Sequence, residues 1–359
     1  MTPIPSIFNA YGSEYIARYP NLPPAHLTTM QAICACRTGA YGYSLSPCQS
    51  CGQHHRLSHA CGNRHGPQCQ HQKARPWLHT QLPGPSFLLT LPIPATLRPC
   101  CRSHPRLASQ ALCQAAAAAR KRLAGDARFI GTALPGFPGI LPTWGRQLPS
   151  HPHIHSMVPG GGLSKNRAAW LPARANVSVP VKALSPVSRA IFTAAMPTAG
   201  LVEPSAPQVW HPPWNVPSPA NPHGATSWQS LAPSVCTVAS STRRLVSLQD
   251  PSVTFTDRTP GSARPRTTQL DVLEFLRRFL QHVLPSGCMQ GRHLGCMSAS
   301  CAINTPDIRR MMVETNGATP EPPPTPDAPS PPCSCPHCGG ALLVSMRGLP
   351  AQEAFVETG

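Results

Sequence analysis

Cysteines and histidines at short spacings are the residues of this chain that could bind metal. Two residues separate Cys48 from Cys51, so that one tight turn can present two thiolates to an ion. Cys61, His65 and Cys69 follow within eighteen residues. Zinc takes four nitrogen or sulfur ligands in a tetrahedron, so the sequence predicts a structural zinc site that combines the pair with Cys69 and either Cys61 or His65. The alternative is a set of reduced, partly buried thiols.

Two further features qualify this zinc pattern. A second closely spaced pair would be its usual other half, but Gly66 stands where the first cysteine of that pair would fall. Near the C-terminus, Cys335 and Cys338, followed by two glycines, resemble half of a zinc ribbon. The tail cysteines are therefore further zinc candidates, although the sequence does not identify their other half.

His153, Ile154 and His155 form the second group with metal-binding potential. Side chains two positions apart on a strand point to the same face, so the two imidazoles converge while Ile154 faces the core. Two neutral imidazoles can chelate one divalent metal ion. The alternative is an accidental pair, because the chain contains 16 histidines.

Glycines and basic residues suggest a nucleic-acid partner. Gly160, Gly161 and Gly162 follow the histidine strand, and a backbone without side chains would let a nucleic acid approach closely. The chain has 30 Lys and Arg against 13 Asp and Glu, a net charge of +17, which excludes an acidic protein and favours a polyanionic partner. The alternative is that the positive excess only maintains solubility.

Apolar patterns predict the elements that position these groups. Phe87–Leu91 and His153–Val158 are predicted strands, and Phe129–Thr132 and Gly139–Leu141 are weaker strand candidates between prolines. Arg106–Ala124, with five consecutive alanines and Gly125 after it, is a predicted helix.

A second predicted helix, Leu270–Leu284, has leucines at three- and four-residue spacing. Thr268 and Asp271 resemble a capping box at its start. Arg277 and Arg278 lie beside the apolar stripe, where they would contact phosphates or form a solvated face.

Composition limits the class of protein and its compartment. The start of the chain has no basic head followed by an apolar run, and no stretch is long and apolar enough to cross a bilayer. We therefore expect a reducing cytoplasm, where clustered cysteines bind metal more often than they form disulfides. Proline accounts for 47 of 359 residues, and residues 320–332 form a proline-rich spacer before the tail.

Residues 151–164 resemble the HUH motif of rolling-circle transposases from bacterial insertion sequences, in the paired-tyrosine class with an N-terminal zinc-binding domain. The resemblance extends over most of the chain. Its other parts are residues 61–70 in the zinc domain, 143–148 before the motif, 210–224 before the nucleophile segment, and 270–284 late in the catalytic domain.

The resemblance implies an α+β fold: an N-terminal zinc-binding module at residues 1–80, then at 81–318 an HUH-type antiparallel sheet with helices packed on one side. Residues 319–359 would be a proline-rich linker and a Cys-rich tail. His153 and His155 would hold Mg²⁺ or Mn²⁺ while Zn²⁺ occupies the N-terminal module, and Gln147 and His151 are candidates for a third ligand. Arg64 in the zinc domain would contact DNA.

In the family, a tyrosine attacks a phosphodiester of single-stranded DNA, leaving a 5′-phosphotyrosine link and a free 3′-hydroxyl. Here Ser230 and Ser234 occupy both expected tyrosine positions, and no tyrosine follows Tyr43. A serine hydroxyl is shorter by a ring and has a much higher pKa than a phenol.

The sequence therefore predicts a cytoplasmic, nucleoid-associated bacterial transposase that binds single-stranded DNA or element ends and whose cleavage is lost or impaired. One alternative is a non-catalytic, zinc-dependent DNA-binding protein derived from a transposase. The other is a decayed chain that folds poorly, which the high proline content would favour.

Overall fold

The structure is a computed structural model. It describes residues 4–67, 69, 77, 81–82, 86–132, 134–140, 153–173, 181–197, 216–217, 244–257, 266–289, 291–316, 334–343 and 348–349. Within these ranges the α-helices, in chain order, are α1 (Ile4–Arg18), α2 (Pro24–Ala35), α3 (Arg98–Ser103), α4 (Pro105–Ala124), α5 (Val181–Ala195), α6 (Val272–Leu280) and α7 (Thr305–Asn316). None of these helices combines the length and the apolar character that crossing a bilayer would need.

The β-strands of the same ranges form antiparallel sheets. In chain order they are β1 (Tyr43–Pro47), β2 (His54–Ser58), β3 (Ser86–Pro92), β4 (Leu134–Pro135), β5 (Phe137–Ile140), β6 (His153–Pro159), β7 (Gly161–Leu163), β8 (Trp170–Pro172), β9 (Val216–Pro217), β10 (Leu245–Gln249), β11 (Ser252–Asp257), β12 (Arg266–Asp271), β13 (Gly291–Leu294) and β14 (Gly348–Leu349). Helices and antiparallel sheets together confirm the predicted α+β class.

The chain forms two compact units. The first combines Met1–Lys73 with Ser240–Val283 and Pro324–Gly359, and the second combines Ala74–Ala239 with Leu284–Pro323. Two later segments thus join the N-terminal one in the first unit, and the domain boundaries near residues 80 and 318 stay a prediction. A division read along the sequence cannot anticipate such a return of the chain.

An aromatic core holds the first unit together. The rings of Phe8 on α1 and Phe279 on α6 meet edge to face, with centroids 5.3 Å apart. Phe275 extends the cluster to Phe255 on β11, with ring centroids 6.2 Å apart. All four side chains are fully buried. The core of this unit therefore depends on residues that are more than 240 positions apart in sequence.

Helix α6 begins later than the leucine pattern predicts. Leu270 pairs with Val253 as part of β12. The Asp271 carboxylate accepts hydrogen bonds from the backbone N–H groups of Leu273 and Glu274, at 2.9 and 3.1 Å. Asp271 is thus the N-cap itself rather than the third residue of a capping box, because its short side chain reaches the first free N–H groups of the helix.

A five-stranded sheet with the order β13-β5-β6-β3-β9 forms the centre of the second unit. The predicted strands Phe87–Leu91 and His153–Val158 are confirmed as β3 and β6, and they pair along their full length. The predicted helix Arg106–Ala124 is confirmed as α4. Of the weaker candidates, Gly139–Leu141 overlaps β5, whereas Phe129–Thr132 is a turn held by the carbonyl of Asp126.

The two faces of this sheet have different partners. Ile154 and Leu91 face helices α4 and α5, where they join a buried cluster that includes Leu112 and Phe192. Met157, two positions after His155, packs on the opposite face. Helices therefore cover the face away from the histidines, and β6 lies third among five strands, between β5 and β3.

Candidate functional site

The two histidines of β6 point to the same side of the sheet and meet. Their Nε2 atoms lie 3.0 Å apart, and their rings are nearly perpendicular with centroids 4.5 Å apart. His153 is buried and His155 is half-buried, while Ile154 between them is fully buried on the other face. This arrangement agrees with the alternation expected from the sequence.

The geometry of the pair fits a shared metal ion. Two nitrogens that each lie roughly 2.1 Å from one ion at a right angle are about 3.0 Å apart, which is also the length of a hydrogen bond between the two rings when no ion is bound. Thr90 faces His155 across the β3–β6 pair, and its Oγ1 lies 3.0 Å from Nδ1 of that ring. When Nδ1–H donates to Thr90, the lone pair of Nε2 is available to a metal ion. No pattern in the sequence indicates Thr90, because only strand register brings it to His155.

The glycines after the histidine strand have a structural explanation. Gly161 and Gly162 are buried in β7. A Cβ atom on Gly161 would lie 2.4 Å from the carbonyl oxygen of Leu171, and one on Gly162 would lie 2.7 Å from Cγ2 of Thr132. Their missing side chains therefore permit close packing within the protein, and this differs from the predicted approach of a nucleic acid. Gly160 is half-buried at the bend between β6 and β7.

The zinc candidates of the first unit separate into two clusters instead of one. Cys48 and Cys51 meet the tail cysteines: the Sγ atoms of Cys48 and Cys338 are 3.5 Å apart, and those of Cys51 and Cys335 are 3.8 Å apart. All four Sγ atoms lie within 4.8 Å of one another. The missing half of the zinc-ribbon pattern in the tail is therefore the N-terminal pair, which 283 intervening positions separate from it in sequence.

The second cluster contains Cys61 and Cys69 together with Cys36. Cys69 lies 3.5 Å from each of the other two Sγ atoms. Cys36, which caps the end of α2, was missed in the sequence, where its only signal is the nearby Cys34. Gly66 borders the cluster: a Cβ atom there would lie 3.1 Å from Sγ of Cys61 and 3.6 Å from Sγ of Cys69.

Both clusters have sulfur separations that suit zinc. Sulfur atoms held at about 2.3 Å from a tetrahedral ion are about 3.8 Å apart, whereas a disulfide would bring them to about 2.05 Å. The described cysteines are all free thiols. Backbone N–H groups of Cys51 and Ser50 lower the pKa of Cys48 to about 6, which favours its thiolate, whereas the hydrogen bonds with Cys48 and Cys51 raise the pKa of Cys338.

His65 is not a member of either cluster among the described residues. Its side chain is buried, and burial, with smaller contributions from Arg64 and His26, lowers its pKa to about 4, so the ring is neutral at pH 7. The backbone N–H of His65 donates to Oδ1 of Asn63 at 2.8 Å, which shapes the turn between Cys61 and Cys69. Among the described residues, no further thiol or imidazole completes the cluster of Cys36, Cys61 and Cys69 as a fourth ligand.

The arginines proposed to contact DNA have an acidic partner on their own helix. Glu274 forms ion pairs with Arg277 at 2.5 Å and with Arg278 at 2.6 Å. Hydrogen bonds from Arg277 and, to a smaller extent, from Arg278 lower the pKa of Glu274 to about 2, although partial burial of the carboxylate acts in the opposite direction. Contact of these arginines with phosphates stays a prediction. Ser230, Ser234, Gln147 and His151 lie outside the described residues.

Both parts of the chain have counterparts among known proteins. Residues 136–304 match the family described as "Putative transposase", and residues 7–92 match the "Transposase zinc-binding domain" of the IS91 type. The chain is 30% identical to "Putative transposase y4qJ" of Sinorhizobium fredii (strain NBRC 101917 / NGR234) over 319 residues, which cover 81% of this chain and 79% of that protein. No solved structure matches the chain. The first family match includes both histidines of β6, whereas the tail cysteines lie outside both matches.

Proposed function

This chain belongs to the transposase family whose zinc-binding domain is of the IS91 type, and we propose that it binds single-stranded DNA at element ends while its own strand cleavage is severely impaired. The observation that carries the proposal is that His153 and His155 meet on one face of β6, with Nε2 atoms 3.0 Å apart, in a chain that has no tyrosine after Tyr43. A divalent cation held there would polarise a phosphodiester. Mn²⁺ suits two imidazoles well, and Mg²⁺ would complete its shell with oxygen ligands.

The charge of the unit that contains these histidines supports a DNA partner. This unit has 17 Lys and Arg against 5 Asp and Glu, so its net charge is +12 of the +17 carried by the whole chain. Phosphate contacts by such a unit release counterions, so its affinity for DNA falls steeply as salt is added. The family itself implies DNA as the partner.

The distribution of tyrosines supports impaired cleavage. All five tyrosines lie within the first 43 residues, which belong to the other unit. The positions that the family resemblance assigns to the nucleophiles are Ser230 and Ser234. A serine hydroxyl at a site shaped for a phenol falls several ångströms short, and a misplacement of about 1 Å already lowers the rate by about two orders of magnitude.

The same distribution favours a second function, a zinc-dependent DNA-binding protein without catalysis. In that case the two thiol clusters of the first unit would carry the DNA-binding fold, and the histidine pair would be a relic. Removal of zinc would then abolish DNA binding, whereas the double substitution of His153 and His155 by alanine would leave it unchanged. If the chain is an impaired transposase, removal of zinc would again abolish DNA binding. The double substitution of His153 and His155 would in addition make DNA binding less dependent on Mn²⁺.

A covalent-adduct assay tests the proposal. The full chain is incubated with Mn²⁺ and a single-stranded oligonucleotide labelled at its 3′ end, because the downstream fragment keeps the 5′-phosphate that a tyrosine would capture. We expect binding that weakens with salt and no adduct that survives denaturation. The double variant Ser230→Tyr, Ser234→Tyr should form the adduct, and the matched Ser230→Phe, Ser234→Phe variant, which has the ring but no hydroxyl, should not.

Three outcomes decide between the readings. An adduct with the unaltered chain would overturn impaired cleavage. Adduct formation by the tyrosine variant that is lost with His155→Ala would support a role for the histidine pair in positioning the phosphodiester. DNA binding without an adduct from the tyrosine variant would favour the second function.

A further inference from the structure

The turns that carry Cys48–Cys51 and Cys335–Cys338 have the same backbone construction. The N–H group four residues after the first cysteine donates to the carbonyl of that cysteine, from Gly52 at 3.0 Å and from Gly339 at 2.8 Å. Both glycines have positive φ, +71° and +74°, a conformation that residues with a side chain rarely adopt.

A second hydrogen bond repeats in the two turns. The N–H of Cys48 donates to the carbonyl of Gln53 at 2.8 Å, and the N–H of Cys335 donates to the carbonyl of Gly340 at 2.7 Å. In each case the acceptor lies five residues after the donor. The two turns are therefore equivalent halves, and each presents two thiols from one loop.

Backbone hydrogen bonds join the halves directly. The N–H of Gln49 donates to the carbonyl oxygen of Ala341 at 3.0 Å, and the N–H of Leu343 donates to that of Pro47 at 2.9 Å. Strand β14 then pairs with β1, so the tail also adds an edge to the N-terminal sheet. A Cβ atom on Gly340 would lie 2.4 Å from Oγ of Ser50 and 3.1 Å from Sγ of Cys48. Glycine is thus required where the halves meet.

From these contacts we infer that one zinc ion joins both ends of the chain, held by Cys48 and Cys51 from the N-terminal segment and by Cys335 and Cys338 from the tail. Four thiolates in a tetrahedron select zinc among the common divalent ions. His55 supports the site from β2, because its Nε2 lies 3.1 Å from Sγ of Cys335 and can donate to that sulfur. Cys48 and Cys335 are buried, so water has little access to their side of the site.

The shared zinc ion explains how the chain returns to its first unit. Residues 284–323 belong to the second unit, and the tail belongs again to the first, after a segment that is rich in proline. A four-thiolate site can fix such a short tail because metal binding contributes folding free energy directly. The N-terminal module is therefore incomplete without the tail.

Zinc content measured on the purified full chain tests this inference independently of any activity on DNA. We expect the chain to lose the same single zinc ion in Cys48→Ser, Cys51→Ser and in Cys335→Ser, Cys338→Ser. The variant with all four substitutions should lose one ion as well, because both pairs hold the same atom. Cys34→Ser is the matched control, since Cys34 lies in the same unit but in neither cluster.

Three results would overturn the inference. A tail variant that retains all of its zinc would exclude the tail as a source of ligands. A fourfold variant that loses one ion more than either double variant would show that the two pairs bind separate ions. Elemental analysis that finds iron in place of zinc would contradict the assigned metal. Gly340→Val gives a check that leaves every thiol in place: it should release the same ion, whereas Gly291→Val, which meets only one distant carbonyl, should not.

Discussion

Replacing Gly66 by cysteine should convert the three-thiol cluster of Cys36, Cys61 and Cys69 into a closed four-thiolate site. The Cβ atom would lie 3.1 Å from Sγ of Cys61 and 3.6 Å from Sγ of Cys69, so the new thiol begins beside its partners. Gly66 has no positive φ that a side chain would strain. The turn is also formed already, because the N–H of Cys69 donates to the carbonyl of Gly66 at 3.1 Å.

The size of the effect follows from the number of ligands. Structural zinc sites bind with about 10–16 kcal/mol, so one ligand in four contributes roughly 2.5–4 kcal/mol. The close contacts of the new Cβ atom with Cys61 and with the carbonyl of Asn63 at 3.2 Å would cost on the order of 1 kcal/mol. The net gain of about 1.5–3 kcal/mol corresponds to a zinc affinity that is about 10- to 150-fold higher.

Competition with a chromophoric chelator measures this affinity, and Co²⁺ substitution reports the ligands directly. In Gly66→Cys, the sulfur-to-cobalt charge-transfer absorption of this site should rise from that of three thiolates to that of four. Gly66→Ala is the matched control, because it adds the same Cβ atom without a thiol. If Gly66→Cys binds zinc no more tightly than Gly66→Ala, the three thiols do not form the metal site that their separations suggest.

Three further changes test other parts of the structure. Thr90→Val should weaken Mn²⁺ binding at the histidine pair about 10- to 100-fold through loss of the hydrogen bond to His155, and Thr90→Ser should restore it in a calorimetric titration. Gly161→Ala should destabilise the chain by about 1–3 kcal/mol in denaturant unfolding, because its Cβ atom would lie 2.4 Å from a backbone oxygen, whereas Gly291→Ala should be nearly neutral. The folded-state pKa of Glu274 is lowered to about 2, so its ion pairs stabilise the fold above the unfolded pKa near 4.5, and this contribution is lost as the pH falls towards 2. Because Glu274 is about one third exposed, its contribution is at most about 1 kcal/mol, and melting curves of Glu274→Gln should converge with those of the unaltered chain at low pH.

Local spacing was sufficient to predict the histidine pair. Side chains alternate on any strand, so His153 and His155 share a face wherever the strand lies, and the core takes Ile154. The predicted helix at 106–124 was correct for a similar reason, because a run of alanines favours a helix in most surroundings. The resemblance to transposases rested on such short motifs, and the family matches confirm it.

The partners of the cysteines could not be predicted in this way. Two cysteines separated by two residues indicate that a turn can bind a metal ion. Their spacing does not indicate which distant pair of cysteines supplies the other two ligands. The sequence grouped Cys48 and Cys51 with Cys69, its near neighbour, whereas the fold brings them to Cys335 and Cys338. Only tertiary packing brings together two pairs of cysteines that more than 280 residues separate in sequence.

What the sequence alone determined about this protein is therefore its family, the strand with paired imidazoles and the absence of tyrosine after position 43. The tertiary structure decided which thiols meet, which hydroxyl contacts His155, and that Gly161 and Gly162 serve close packing. The physical reason is range: alternation and helix propensity act between neighbours, whereas metal ligands and strand partners are chosen by contacts that form only when the whole chain has folded.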